Sequence, residues 1–350
     1  MAAEMPPEPD GAAVRGALAR LAGRAGRELL DKQPHWGDAI ACDGLLYAAR
    51  ALGVDQALAS AEKWFAPKLA AGPRLDGWFW FWAAEALPAL NLHVATGHRA
   101  CLEHARRILD HIALNAARTG DGGIVPHPPA QELWVDVAYF TAPAMALCGR
   151  IACEQRHIER AFSQMVMHWK HLADAPTGLF WHVAYVDKNQ HSPCLWARGN
   201  SWFAIAATEV LAQVEGAPRP EWLGERPHLI EAALAKQLNA IVSLQDASGL
   251  WHTVIDRPDS YLESSASAGF ALALGRTLRA GGRGLDRERA AQCYARAIGA
   301  IVEKINLEGE FTGVSQQTPP RRLRVLQFDR ARHRAVRHRG LYDGAERGSR

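Results

Sequence analysis

Four connections along the chain carry one signature, a glycine followed by apolar or aromatic residues. They are Gly-Asp-Gly-Gly-Ile-Val-Pro-His (120–127), Thr-Gly-Leu-Phe-Trp-His (177–182), Ser-Gly-Leu-Trp-His-Thr (248–253) and Glu-Gly-Glu-Phe-Thr-Gly (308–313). Anchored on Gly123, Gly178, Gly249 and Gly309, they lie 55, 71 and 60 residues apart. Each interval holds one helical hairpin and a loop long enough for a short strand pair. A unit of that size cannot bury its apolar face alone, so such units stack in a solenoid or close into a toroid. Apolar residues recur at helical spacing through most of the sequence. The spacing predicts helices over 11–30, 38–52, 55–70, 78–96, 98–118, 132–152, 154–173, 199–214, 226–245, 263–281 and 286–304. No strand–helix–strand alternation runs between them. Eleven helices with long loops at every second junction fit an all-α ring of six hairpins that lacks a proper final helix. An open solenoid is the alternative. A ring gathers its long loops at one end, where ligand sites tend to lie.

Composition removes several classes. The 350 residues are 48% hydrophobic and 22% charged, as in an ordinary globular protein. No run approaches the ~18 consecutive apolar residues of a membrane span. The start, Met-Ala-Ala-Glu-Met-Pro-Pro-Glu-Pro-Asp, is acidic and proline-rich, without the basic-then-apolar pattern of a secretory signal. A cytoplasmic protein is expected, with its six cysteines (42, 101, 148, 153, 194 and 293) as free thiols. The fifteen histidines show no metal-ligand spacing, and no phosphate loop or Ser-His-Asp elbow is present, so no metal and no cofactor are expected. Residues 321–350 hold ten arginines against three acids, which leaves 1–320 at about −4. The basic balance therefore belongs to the tail and does not argue for a nucleic-acid surface on the fold. Neither nucleic acid nor membrane is expected as a partner.

Twelve tryptophans are unusual, and eight of them (78, 80, 82, 134, 181, 196, 202 and 251) fall in or beside the long loops. Each could be a core residue. Gathered at one end of a ring, they would instead offer flat apolar faces to sugar rings while their indole N–H groups find polar partners. Asp136 follows Trp134 at the start of a helix and lies at the edge of its apolar face. Either it satisfies backbone donors there, or it is a desolvated carboxyl group able to donate a proton near neutrality. The string Leu-Trp-Ala-Arg-Gly-Asn-Ser-Trp (195–202) places Arg198 between Trp196 and Trp202. Its planar fork suits a carboxylate, which is either a substrate's or that of a structural partner. Asn200 is a plausible helix N-cap.

Trp134-Val-Asp136, Gly-Leu-Phe-Trp-His182, Trp196-Ala-Arg-Gly-Asn-Ser-Trp202 and Tyr261-Leu-Glu-Ser-Ser-Ala-Ser resemble the motifs of the unsaturated rhamnogalacturonyl hydrolases. These form glycoside hydrolase family 105, which is related to the unsaturated glucuronyl hydrolases of family 88. The likeness runs over roughly residues 30–320, and Trp-x-Arg-Gly-Asn-x-Trp is its specific part. It implies an (α/α)6 barrel and removal of a Δ4,5-unsaturated uronic acid from the non-reducing end of lyase-derived oligosaccharides. Asp136 matches the general acid/base; His182, Trp196, Arg198 and Trp202 match sugar-subsite positions, with Trp134 beside them. A second family Asp has no clean match, and Asp76 is the nearest candidate. An epimerase-like isomerase using His182 and His252, and a sugar-binding relative without turnover, are the alternatives. After about residue 320 the resemblance stops. The expected organisation is one domain over 1–320 and an Arg-rich tail over 321–350 that does not pack as the closing helix.

Overall fold

Each glycine signature closes a tight turn just after a helix. In the computed structural model, which describes residues 10–30, 36–76, 79–215 and 219–315, the same backbone bonds recur. Gly122, Gly178, Gly249 and Gly309 donate to the carbonyls of Thr119, Asp174, Asp246 and Asn306, and a short antiparallel bond closes each turn. All four have positive φ, from 76° to 98°, which glycine adopts without a Cβ clash. The first repeat is therefore anchored on Gly122, one residue before the glycine chosen from the pattern.

The chain forms α1 (Gly11–Glu28), α2 (Trp36–Leu52), α3 (Asp55–Ala71), α4 (Phe79–Ala83), α5 (Ala86–Thr96) and α6 (Arg99–Asn115). After β1 (Glu132–Trp134) come α7 (Val135–Ala152), α8 (Gln155–Leu172), β2 (Val183–Tyr185) and β3 (Gln190–His191). Then follow α9 (Ala197–Ala212), α10 (Arg226–Ser243), β4 (Trp251–His252), β5 (Leu262–Glu263), α11 (Ser264–Arg279) and α12 (Arg287–Glu303). The predicted helix over 78–96 is broken at 84–85. Pro88 explains the break, since a helix running through it would lose a hydrogen bond and clash with the carbonyl of Ala84.

These helices form an (α/α)6 barrel. The inner series runs α2, α5, α7, α9, α11, each packed on the next. Outside, α1 packs on α3 and α12, α3 on α6, and α10 on α8 and α12. Arg156 and Asp110, 3.9 Å apart, link α8 to α6 and complete the outer circuit. The inner helices are apolar nearly all round: α7 buries Val137, Ala138, Phe140, Ala144 and Met145, whereas α1 buries only Ala17, Ala22 and Gly26. Fully buried Phe65, Phe162, Phe180, Phe203 and Phe270 fill the space between the layers, each contributing roughly 1.5–3 kcal/mol. Among the described residues the inner ring has five helices and the outer six. Between α11 and α2, side chains reach across: Tyr47 donates to Glu209 at 3.0 Å, and Arg276 meets both. The expectations for 321–350 lie outside the described residues.

Two small antiparallel sheets sit at the starts of inner helices. One has the order β1-β2-β3, with Trp134 opposite Val183; the other pairs β4 with β5. All six cysteines are free, and five are buried. No described helix is long and apolar enough to cross a membrane.

Candidate active site

The strands deliver the chemistry. β1 runs straight into α7, so Trp134 ends the strand and Asp136 stands in the helix's first turn. The neighbouring chain brings His182 in front of β2, and its carbonyl accepts from the Val135 amide at 3.0 Å. That bond fixes the two segments side by side, with His182 Nε2 3.5 Å from Asp136 Oδ2. His182 is 1% exposed and Asp136 15%. Trp134 packs edge-on against His182 (5.2 Å between centroids), and Trp196 tilts over its other side at 4.3 Å. Four residues read from three separate motifs thus meet at one point.

Several polar atoms there are sealed from solvent yet have no hydrogen-bond partner among the described residues. They are Asp136 Oδ2, His182 Nδ1 and Trp196 Nε1. Buried polar atoms are nearly always satisfied, and three that are not lie together here. His127 stacks edge-on with Trp134 at 5.1 Å. Burial holds its imidazole below the ordinary range, against the pull of Glu132 and Asp136.

Arg198 enters from the first turn of α9 and lies over the Trp196 ring at 4.7 Å. Its carboxylate partner within the fold is Glu263, fully buried at the end of β5, with Nη1 to Oε1 at 3.5 Å. Glu263 also accepts from the amides of Ala266 (2.5 Å) and Ser315 (2.9 Å) and from the Ser265 hydroxyl. Arg198 in turn donates to the Ser315 carbonyl at 3.2 Å and to its hydroxyl. The arginine is thus pinned by a structural carboxylate that the sequence reading did not place in the site. Its string Tyr261-Leu-Glu carried the only signal.

Trp202, one turn farther along α9, stacks on Tyr139 of α7 at 4.7 Å and 29°. With Phe140 and Trp36 it forms an aromatic wall joining α2, α7 and α9. Trp251, by contrast, is fully buried and donates to the Ile241 carbonyl, a core role. Asn200 is not a cap, because α9 already begins at Ala197. It is buried and exchanges two bonds with Phe180, at 2.8 and 2.9 Å, stapling the 177–182 turn to α9. That turn carries His182.

Asp76 is not brought to this cluster. It stands on the connection between α3 and α4 with its side chain 78% exposed, facing Arg74 at 3.7 Å. After Gly72 and Pro73 the chain runs over the surface, where a carboxylate stays solvated. The buried carboxyl group of the inner ring is Asp43 on α2, which the helix pattern hid. It accepts from Asn91 at 2.6 Å, and burial pushes it up to about 7, helped by Glu209. His252 is held by the Ser260 carbonyl at 2.5 Å, with Asp246 at 3.6 Å. Among the described residues no three His, Cys, Asp or Glu side chains gather as a metal site.

Comparison with known proteins agrees with this architecture. An unsaturated rhamnogalacturonyl hydrolase of Bacillus subtilis is 36% identical over 194 residues, 53% of this chain and 54% of its own length. The match thus spans about half of that relative. A possible member of family GH105 from Klebsiella pneumoniae superposes with a TM-score of 0.78 at 24% identity, covering 89% of this chain and 86% of its own. The unsaturated glucuronyl hydrolase of Bacillus sp. GL1 superposes at 0.66 with 16% identity, covering 87% and 89%. The profile described as Glycosyl Hydrolase Family 88 matches residues 22–325, nearly the whole barrel. With that coverage, the chain belongs to Glycosyl Hydrolase Family 88.

Proposed function

We propose that the protein is a cytoplasmic hydrolase of unsaturated uronyl oligosaccharides. The substrate is a short lyase product whose non-reducing sugar is a Δ4,5-unsaturated galacturonyl or glucuronyl residue. The observation that carries this reading is the Asp136–His182 pair, 3.5 Å apart and walled by Trp134 and Trp196, with polar atoms awaiting a partner. The bond attacked is a vinyl ether. Asp136 donates its proton to C4, the double-bond electrons form the new C–H bond, and positive charge develops at C5 and the ring oxygen. Water adds at C5 and returns a proton to the Asp136 carboxylate. The hemiketal then opens and releases the aglycone. General acid/base assistance of this kind contributes typically ~10²–10⁴ in rate.

The supporting geometry extends to the sugar. Trp196 and the Trp202–Tyr139 stack give flat apolar surface, while Arg198 keeps a guanidinium at the edge of that surface. The test is direct. Unsaturated galacturonyl and glucuronyl disaccharides should lose the ultraviolet band of their conjugated double bond when the enzyme is added. A panel in which no member loses the band would contradict the proposal.

A further inference from the structure

A cavity is lined by none of the residues of the Asp136 cluster. It is about 610 Å³, within the ~300–1,000 Å³ of small-ligand pockets. Helix α8 and the turn over 118–122 form its walls, Ala113 of α6 and Met145 of α7 line it between them, and Arg226 reaches in from the start of α10. Three arginines line it: Arg118, Arg160 and Arg226. Among the described residues, none of the three forms an ion pair with a carboxylate. Arg118 donates to the carbonyls of Gly122 (3.0 Å) and Ile112 (3.3 Å). Arg226 donates to those of Leu223 and Trp222 and to the Ser163 hydroxyl. These bonds fix the guanidinium groups without pairing them to a carboxylate, and the lining holds three arginines against two acids.

Arg160 is the exception in bonding. Its Nη1 is buried and has no acceptor among the described residues. The carboxylates that share the lining are engaged elsewhere: Asp121 by Thr119 and His171, each at 2.6 Å, and Glu159 by Gln155 at 2.8 Å. Burial and the neighbouring Arg160 charge lower the Arg118 guanidinium from its ordinary range, the sign expected of cations held together. A charged group in such surroundings costs free energy unless a counter-charge joins it. Met145 and Met167 supply apolar surface beside the arginines.

We propose that this cavity is a second, non-catalytic binding site for a small oxyanion, either the carboxylate of a sugar acid or a free inorganic anion. The anion takes the donors of Arg160 and lies between the charges of Arg118 and Arg226. Titration calorimetry with sulfate, phosphate, galacturonate and neutral galactose tests it. At low salt at least one anion should bind with a Kd at or below about 1 mM, galactose should not, and added NaCl should weaken the binding. Galacturonate binding more tightly than sulfate or phosphate identifies a sugar-acid site; the reverse order identifies a free-anion site. Arg160→Gln should weaken binding at least ~10-fold and Arg160→Lys much less. Ala113→Trp should weaken it by crowding the space without altering charge. Asp136→Asn should leave it unchanged, which separates this site from the catalytic one. Absence of anion binding, or binding that Arg160→Gln and Ala113→Trp both leave intact, overturns the proposal.

Discussion

Asp43 shows how a single buried carboxyl group sets pH behaviour. Folding raises its pKa from an ordinary value near 4 to about 7, so the folded state binds its proton more tightly than the unfolded chain does. Stability from this group is therefore full below about pH 4 and is lost as pH rises through about 7, by at most roughly 4 kcal/mol. Asp43→Asn keeps an acceptor for Asn91 and removes the titration. Its melting temperature is predicted to exceed that of the unmodified protein by several degrees at pH 8, with the gap closing toward pH 4; parallel curves at both pH values would contradict this. Arg198 carries a second prediction. Because its fork holds Glu263, Ser265 and Ser315, and in the proposed function also faces the sugar, Arg198→Lys should lower both substrate affinity and melting temperature. Calorimetric affinity and thermal unfolding check the pair, and a loss of turnover alone, with both quantities unchanged, would refute the assignment.

Inner helices meet where side chains are smallest. A Cβ on Gly199 of α9 would stand 2.6 Å from Val135 Cγ1 and 3.0 Å from the Trp196 ring, and one on Gly269 of α11 would stand 2.7 Å from Ser201. Gly199→Ala should cost about 1–3 kcal/mol. It should also lower activity, because Val135 is the neighbour of Asp136; an unfolding midpoint and a rate measured on the same sample check both. The helices themselves were legible, because apolar periodicity and four glycine turns are local signals. Their partners were less so. Trp134, Asp136, His182 and Trp196 stood out as motifs, and the ring brings them together. Glu263 and Asp43 did not, since a carboxylate on an inner helix reads as any helix residue until the opposite wall is known. The break before Pro88 was missed for a related reason: apolar spacing continues through it while the backbone cannot. Asp76 was singled out by its place in the sequence, but its side chain stays 78% exposed beside Arg74.

The outer ring closes where the turn after α12 meets α1. Gly309 sits at φ 76°, and a Cβ there would fall 2.3 Å from the Arg20 carbonyl oxygen. Arg20 in turn donates to the Asn306 carbonyl at 3.2 Å. Gly309→Ala is predicted to destabilise the whole barrel by at least ~2 kcal/mol, from left-handed strain and the backbone clash together, as read by denaturant unfolding. A closed circuit matters for function because it holds the starts of α7, α9 and α11 in one constellation, with His182 stapled to them through Asn200. In the proposed function this constellation makes Asp136 the proton donor and acceptor. Turnover of an unsaturated uronyl disaccharide by Asp136→Asn, followed through loss of the double-bond absorbance, tests it most directly. The predicted result is a rate lower by ~10²-fold or more, with disaccharide affinity kept within about tenfold, roughly 1.4 kcal/mol. A variant that retains more than half of the unmodified enzyme's turnover would contradict it.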